Sequence, residues 1–278
     1  MKNKKYYLPL IHPGSISLYP FLRIGGFGLG NMLFPFFRSL FLSIKDGAIL
    51  MYPHHFQIQP RNLLFNLNIN SVRNYSSDFS KLSWCSLPKN KSAYIFYKKR
   101  WESENEINNA SNIYFSGLKN YFFDLIDFQE EIQEFIYHSF SYKPKIRKDV
   151  VAFHLRLGDF IRNKQAINRE KIINTFDFFL KQSKIIEIYS DTPKNKILNY
   201  LDLEKLPNNI FINNSLSPMM DIIEIAQAEY ICGSPYSTFV EWAKFIRPAK
   251  FPKNSYSLLD KNKADLINVS PLKWDNFV

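Results

Sequence analysis

The residues of this chain best suited to chemistry lie in one short run, His154-Leu155-Arg156-Leu157-Gly158-Asp159, which follows the apolar stretch Val150 to Phe153. That stretch reads as a strand, and strand alternation puts His154 and Arg156 on one face before the chain turns at Gly158 with Asp159 just beyond. A guanidinium at a strand end keeps its charge and presents a rigid fork of donors. It can therefore grip phosphate oxygens two at a time and stabilise a departing diphosphate. An Arg-Asp pair closing a turn, with an ordinary core histidine beside it, would explain the same residues without any ligand.

Three further places carry polar residues where a strand gives way to a helix. Ser190 and Asp191 follow Ile185 to Tyr189, and capping of the next helix is a sufficient account of them. Asp221 stands near the start of another helical pattern. Ser237 and Thr238, followed by Phe239, sit where a loop enters a helix whose free N–H groups favour an anion, although a plain N-cap explains them equally well. Near the start, Gly25-Gly26-Phe27-Gly28-Leu29-Gly30-Asn31 holds four glycines within six residues, a place for a tight turn or a close backbone approach to a ligand. It has neither the spacing of a dinucleotide fingerprint nor the Gly-Lys-Ser/Thr ending of a P-loop.

These residues need a scaffold, and the second half of the chain supplies a legible one. Strands are predicted at Val150–Leu155, Ile185–Tyr189, Asn209–Ile212 and Tyr230–Cys232, with helices at Lys171–Leu180, Lys194–Leu201, Met219–Ala228 and Thr238–Ile246. Such alternation implies right-handed crossovers, a parallel sheet and a ligand at the carboxyl ends of the strands. In the first half, a strand over Leu18–Ile24, a helix over Asn31–Ile44 and a strand over Ala48–Tyr52 form another such unit. Residues 53–120 lack clear periodicity, and helical character returns over Asp124–Phe140. Ser141 to Lys145, polar and marked by Pro144, is the linker candidate. The expectation is an α/β protein of two domains, 1–145 and 146–278.

Composition bounds the partners. The 278 residues, 46% of them hydrophobic and 17% aromatic, can fill real cores, which argues against disorder. A formal net charge of +11 favours an anionic partner: nucleic acid, an acidic membrane surface or a phosphate-bearing substrate. For nucleic acid, Tyr94 to Trp101 with Lys98, Lys99 and Arg100 is the one stretch mixing basic and aromatic residues, so that class is disfavoured. The lysines of Lys253 to Lys263 read as a solvated basic surface. Cys85 and Cys232 make neither a metal-ligand pair nor a disulfide framework, and a reducing compartment is the default. The basic start, Met1 to Lys5, is followed by Pro9, Pro13 and Gly14, which interrupt the apolar core of a signal peptide. The expected location is cytoplasmic, with peripheral contact at an anionic inner membrane face.

Together, Gly28-Leu29-Gly30-Asn31, His154-x-Arg156-x-Gly158-Asp159, Ser190-Asp191, Asp221 and Ser237-Thr238-Phe239 resemble the motifs of the GDP-fucose-dependent fucosyltransferases. Among these the α-1,2-fucosyltransferases of glycosyltransferase family 11 are the nearest match. Those proteins open with a Gly-Gly-Leu-Gly-Asn-Gln-Met-Phe-like segment, carry His-x-Arg-Arg-Gly-Asp at mid-chain, and end with Ser-Thr-Phe-Ser-Trp-Trp. The answering segments here are Phe27 to Phe34, His154 to Asp159 and Ser237 to Trp242, in the family's order.

The resemblance implies a GT-B architecture, two Rossmann-like domains facing across a cleft, and an inverting, metal-independent transfer without a cofactor. GDP-fucose would be the donor, and a glycan or lipid-linked oligosaccharide the acceptor. It makes Arg156 the diphosphate ligand, His154 and Asp221 the guanosine contacts, and Ser237 and Thr238 the phosphate holders. Ser190, Asp191 and Phe239 fall on the donor side, while Gly28, Gly30 and Asn31 form the first domain's glycine loop. Asp159 is the nearest carboxylate to take the acceptor proton or could equally orient Arg156, and a reaction in which the departing phosphate takes the proton would need no base. Departures from the pattern are Leu157 for the second arginine, Met32 for glutamine, and Glu241 for the first tryptophan. On alternation Leu157 points away from Arg156, into the core. Alternative readings are a transferase for another GDP-sugar and a non-catalytic sugar-nucleotide-binding protein.

Overall fold

The computed structural model describes residues 5–9, 16–17, 23–24, 28–50, 75–82, 107–108, 113–116, 122, 125–157, 161, 168–213, 217–233, 237–248, 254–257 and 267–268. The chain divides into two compact units, Met1–Ser141 and Tyr142–Val278. Each is an α/β body built around parallel strands, the class expected from the sequence.

In the first unit β1 (Tyr6–Pro9) lies between β4 (Ile49–Leu50) and β6 (Ile113–Ser116), parallel to both, and β5 (Ile107–Asn108) closes the edge antiparallel to β6. Two points differ from expectation. The basic N-terminal segment, weighed as a leader, supplies a central strand in which Tyr7 and Leu8 are buried. Of the strand expected at Leu18–Ile24, the described part is β3 (Arg23–Ile24), which pairs with β2 (Ile16–Ser17) rather than with this sheet. Four residues are too few for a period-2 signal to stand out, so β1 is invisible until its partners are in place.

The main helix of this unit, α1 (Leu29–Lys45), is buried nearly all round and runs through Pro35. Its phenylalanines hold the unit together. Phe34 meets Phe122 edge-on at 4.5 Å between centroids, and Phe36 meets Phe79 of α2 (Ser76–Lys81) at 5.6 Å. Phe37 meets Phe135 of α3 (Gln129–Ser139) at 6.1 Å. Each such side chain contributes roughly 1.5–3 kcal/mol by leaving water.

The second unit is a sheet of six strands in the order β12-β11-β10-β7-β8-β9. The strands are β7 (Arg147–His154), β8 (Ile185–Tyr189), β9 (Ile210–Ile212), β10 (Ala228–Gly233), β11 (Asn254–Ser257) and β12 (Ile267–Asn268), parallel except for the last pair. Helices α4 (Arg169–Leu180), α5 (Lys194–Leu201), α6 (Pro218–Gln227) and α7 (Thr238–Phe245) connect them. The four predicted strands and helices are all present, with ends shifted by a few residues. The departure is β11, which adds a parallel strand inside the lysine-rich stretch read as solvated surface. Its Asn-Ser-Tyr-Ser sequence has no apolar period to announce it.

Local chemistry sets the helix starts. Asn168 caps α4 by accepting from the Glu170 N–H at 2.8 Å, and Ser217 caps α6 by accepting from Met220 at 3.3 Å, with Pro218 in the first helical position. One face of the sheet packs Val151 and Phe153 of β7 and Ile186 and Ile188 of β8 against Ile172 and Phe176 of α4 and Ile197 of α5. Leu157 belongs to that same core at 2% exposure, as alternation from Phe153 and Leu155 predicts.

Candidate functional site

The strand order makes the site. From β7 the chain winds outward to β8 and β9, then crosses to the other side of β7 for β10 and β11. The crossovers leaving β7 and β10 therefore run to opposite sides, which makes the carboxyl ends of these two neighbours the switch point, the position where open parallel sheets bind ligands. His154 ends β7, and Gly233 ends β10 directly beside it in register.

There the structure brings together His154, Ser237 and Phe239. Ser237 Oγ lies 3.3 Å from His154 Nδ1, and the imidazole stacks on the Phe239 ring at 4.8 Å between centroids and 17° between planes. Gly233 is the floor that permits this. A Cβ on it would stand 2.7 Å from Val240 Cγ2 and 3.3 Å from His154 Cβ. Burial first, and the neighbouring Arg156 charge second, push the His154 imidazole down to about 3, so it is neutral at physiological pH. Arg156, partly exposed, follows two residues along the same face.

Ser237 departs from the capping expectation. It occupies the N-cap position of α7 and is fully buried, yet its hydroxyl makes no cap hydrogen bond. That leaves the first-turn N–H groups of α7, beginning at Thr238, without a side-chain acceptor from the cap.

Ser190 is placed next to this cluster and bonds to the backbone, while Asp191 accepts from the Thr192 hydroxyl at 3.4 Å. Ser190 Oγ donates to the Leu155 carbonyl at 2.5 Å and accepts from the Thr192 N–H at 3.1 Å, tying the end of β8 to the end of β7. Neither residue caps α5, whose N-cap is Pro193. Asp221 lies in the first turn of α6, at the carboxyl edge because α6 follows β9, and its charge bears on the Tyr142 hydroxyl rather than on His154. Asp159 and Gly158 lie outside the described residues.

Of the glycine segment, Gly25 to Phe27 lie outside the described residues, and Gly28 to Asn31 form the start of α1 in the first unit. Gly28 is the extended N-cap of α1, its carbonyl accepting from the N–H groups of Asn31 at 3.1 Å and Met32 at 3.3 Å, and Gly30 is buried in the first turn. Asn31 Oδ1 is shut off from solvent with no hydrogen-bond partner among the described residues. The helix starts at Leu29, two positions before the expected Asn31.

A polar network under α6 escaped the sequence reading. Arg147 Nη1 donates to both carboxylate oxygens of Glu187 at 2.8 and 2.7 Å, and Nη2 donates to the Glu224 carbonyl at 2.9 Å. The Glu224 carboxylate accepts from Asn213 Nδ2 at 2.6 Å and from the hydroxyls of Tyr142 at 3.1 Å and Tyr189 at 3.3 Å. Burial and the Glu224 charge push Tyr142 up to about 12. The available signal was Glu187, a charge within the apolar strand Ile185 to Tyr189.

No family model matches the chain, and no curated protein does. Among solved structures it is similar to POFUT1 in complex with GDP-fucose, at 12% identity and a TM-score of 0.45 over 93% of this chain and 99% of that one. NodZ alpha-1,6-fucosyltransferase soaked with GDP-fucose aligns at 10% identity and a TM-score of 0.42 over 88% and 93%. Fucosyltransferase NodZ from Bradyrhizobium aligns at 9% and 0.39 over 88% and 94%. At these values the functional reading rests on the chain's own residues.

Proposed function

We propose that the chain is an inverting, metal-independent glycosyltransferase that moves fucose from GDP-fucose to a sugar hydroxyl, forming an α-1,2 linkage to galactose on a surface glycan. The observation that carries this reading is the meeting of His154, Phe239, Ser237 and the start of α7 at the switch point of the sheet, with Arg156 two residues further on. A neutral imidazole leaves Arg156 as the cation of this strand end, suited to the charge that builds on a diphosphate as the sugar–phosphate bond breaks. The uncapped N–H groups of α7 add a second anion-binding element. Asp221 serves the guanine N1–H and N2 donors, and Asp159 takes the acceptor proton or orients Arg156. The basic charge favours work at an anionic membrane face, where lipid-linked acceptors lie.

The test is product formation by the purified protein from GDP-fucose and a galactose-terminated acceptor, with GDP-mannose as the competing donor. Arg156→Ala is expected to lower kcat by about 10²–10³-fold. Full turnover by that variant would sink the mechanism. The core placement of Leu157 favours a second reading, a sugar-nucleotide-binding protein without catalysis, because only one arginine of the family's pair can reach a diphosphate from this strand. In that case GDP protects the chain against unfolding while no acceptor is modified.

A further inference from the structure

His154 and Ser237 are 83 residues apart in sequence and both buried, at 8% and 0% exposure. A neutral imidazole carries its single proton on either Nδ1 or Nε2, and the group opposite Nδ1 decides which. The Ser237 hydroxyl has its own proton to place. It does not accept from the first turn of α7, and its contact among the described residues is His154 Nδ1. A buried hydroxyl hydrogen without an acceptor is costly, so the serine donates and Nδ1 accepts. The ring proton then sits on Nε2. Stacking on Phe239 fixes the plane of the ring.

We propose that Ser237 is a positioning residue whose hydroxyl, donating to Nδ1, holds His154 as the Nε2–H tautomer, so that the ring offers the nucleotide a hydrogen-bond donor instead of an acceptor. This rests on the reading of the switch point as a GDP site. It assigns the serine to the histidine rather than to a phosphate, and it leaves the backbone of α7 to hold the anion. Exchange of the tautomer would present a lone pair to the oxygens of the ligand and repel them.

The experiment is long-range 1H–15N correlation of the imidazole nitrogens in the full chain, combined with calorimetric titration of GDP. The expected wild-type spectrum shows a protonated Nε2 and an acceptor-type Nδ1 for His154, identified by its loss in His154→Gln. Ser237→Ala is expected to yield a tautomer mixture and about five- to tenfold weaker GDP binding, the scale of one misplaced hydrogen bond. Ser237→Thr keeps the hydroxyl and restores both. A protonated Nδ1 in the wild type overturns the proposal even if the alanine variant fails to fold. So does GDP binding by Ser237→Ala equal to that of the wild type. Absence of GDP binding by a wild type with the expected tautomer would instead refute the nucleotide-site reading and leave the serine–histidine pairing standing.

Discussion

His154 shows how burial converts a titratable side chain into a fixed dipole. Its folded value lies near 3, against roughly 6.5 for a solvated imidazole. Between those values the unfolded chain binds a proton that the folded chain refuses, so stability rises with pH across the window and is lost as pH falls from about 6.5 toward 3. The slope from this one group approaches about 1.4 kcal/mol per pH unit. Urea titrations at several pH values should show that His154→Gln lacks this part of the slope. Equal slopes in the two proteins would show that the ring is solvated. The sequence placed His154 and Arg156 on one face from alternation alone, but it held no clue that Ser237 turns away from its own helix.

Among the elements, β10 and α6 are the ones on which the site depends. Gly233→Ala would press a Cβ into Val240 and against His154, and a packed floor cannot give way without cost. The expected loss is about 1–3 kcal/mol in chemical denaturation, with weakened GDP binding because the imidazole is displaced. Unchanged stability would mean that α7 slides freely over β10. The helix α6 hangs on Glu224, whose carboxylate accepts from Asn213, Tyr142 and Tyr189. Glu224→Ala takes this acceptor from the Asn213 amide and the Tyr142 hydroxyl, while Tyr189 keeps the Glu187 carboxylate at 2.7 Å, and should cost about 1–3 kcal/mol, whereas Glu224→Gln should cost less. Equal losses in the two variants would place the energy in the aliphatic packing instead. Elements of this unit were readable because apolar runs and helical spacing are local properties. The network was not, because it joins residues from the linker, two strands, a loop and a helix.

At the scale of the molecule, two α/β units divide the chain between them, and the proposed donor chemistry belongs to the second. GDP in hundredfold excess over its Kd should stabilise the full chain by about 2.7 kcal/mol. Hydrogen exchange should show the added protection at the carboxyl ends of β7 and β10 and at the start of α7. Protection absent from those three places would move the nucleotide elsewhere. Among the described residues no helix is long and apolar enough to cross a membrane. The membrane association proposed above rests on the net charge of +11 and should weaken as salt is raised.

What the sequence determined by itself is the alternation of strands and helices from Arg147 to Phe245, the place of Arg156 at a strand end, and the burial of Leu157. All three follow from side-chain periodicity within a few residues. The tertiary structure alone decided that β1 is a central strand, that β10 lies against β7, and that Ser237 therefore meets His154 rather than capping α7. Those outcomes depend on which strands become neighbours, a choice made by the summed burial of distant segments and not by the residues on either side of each one.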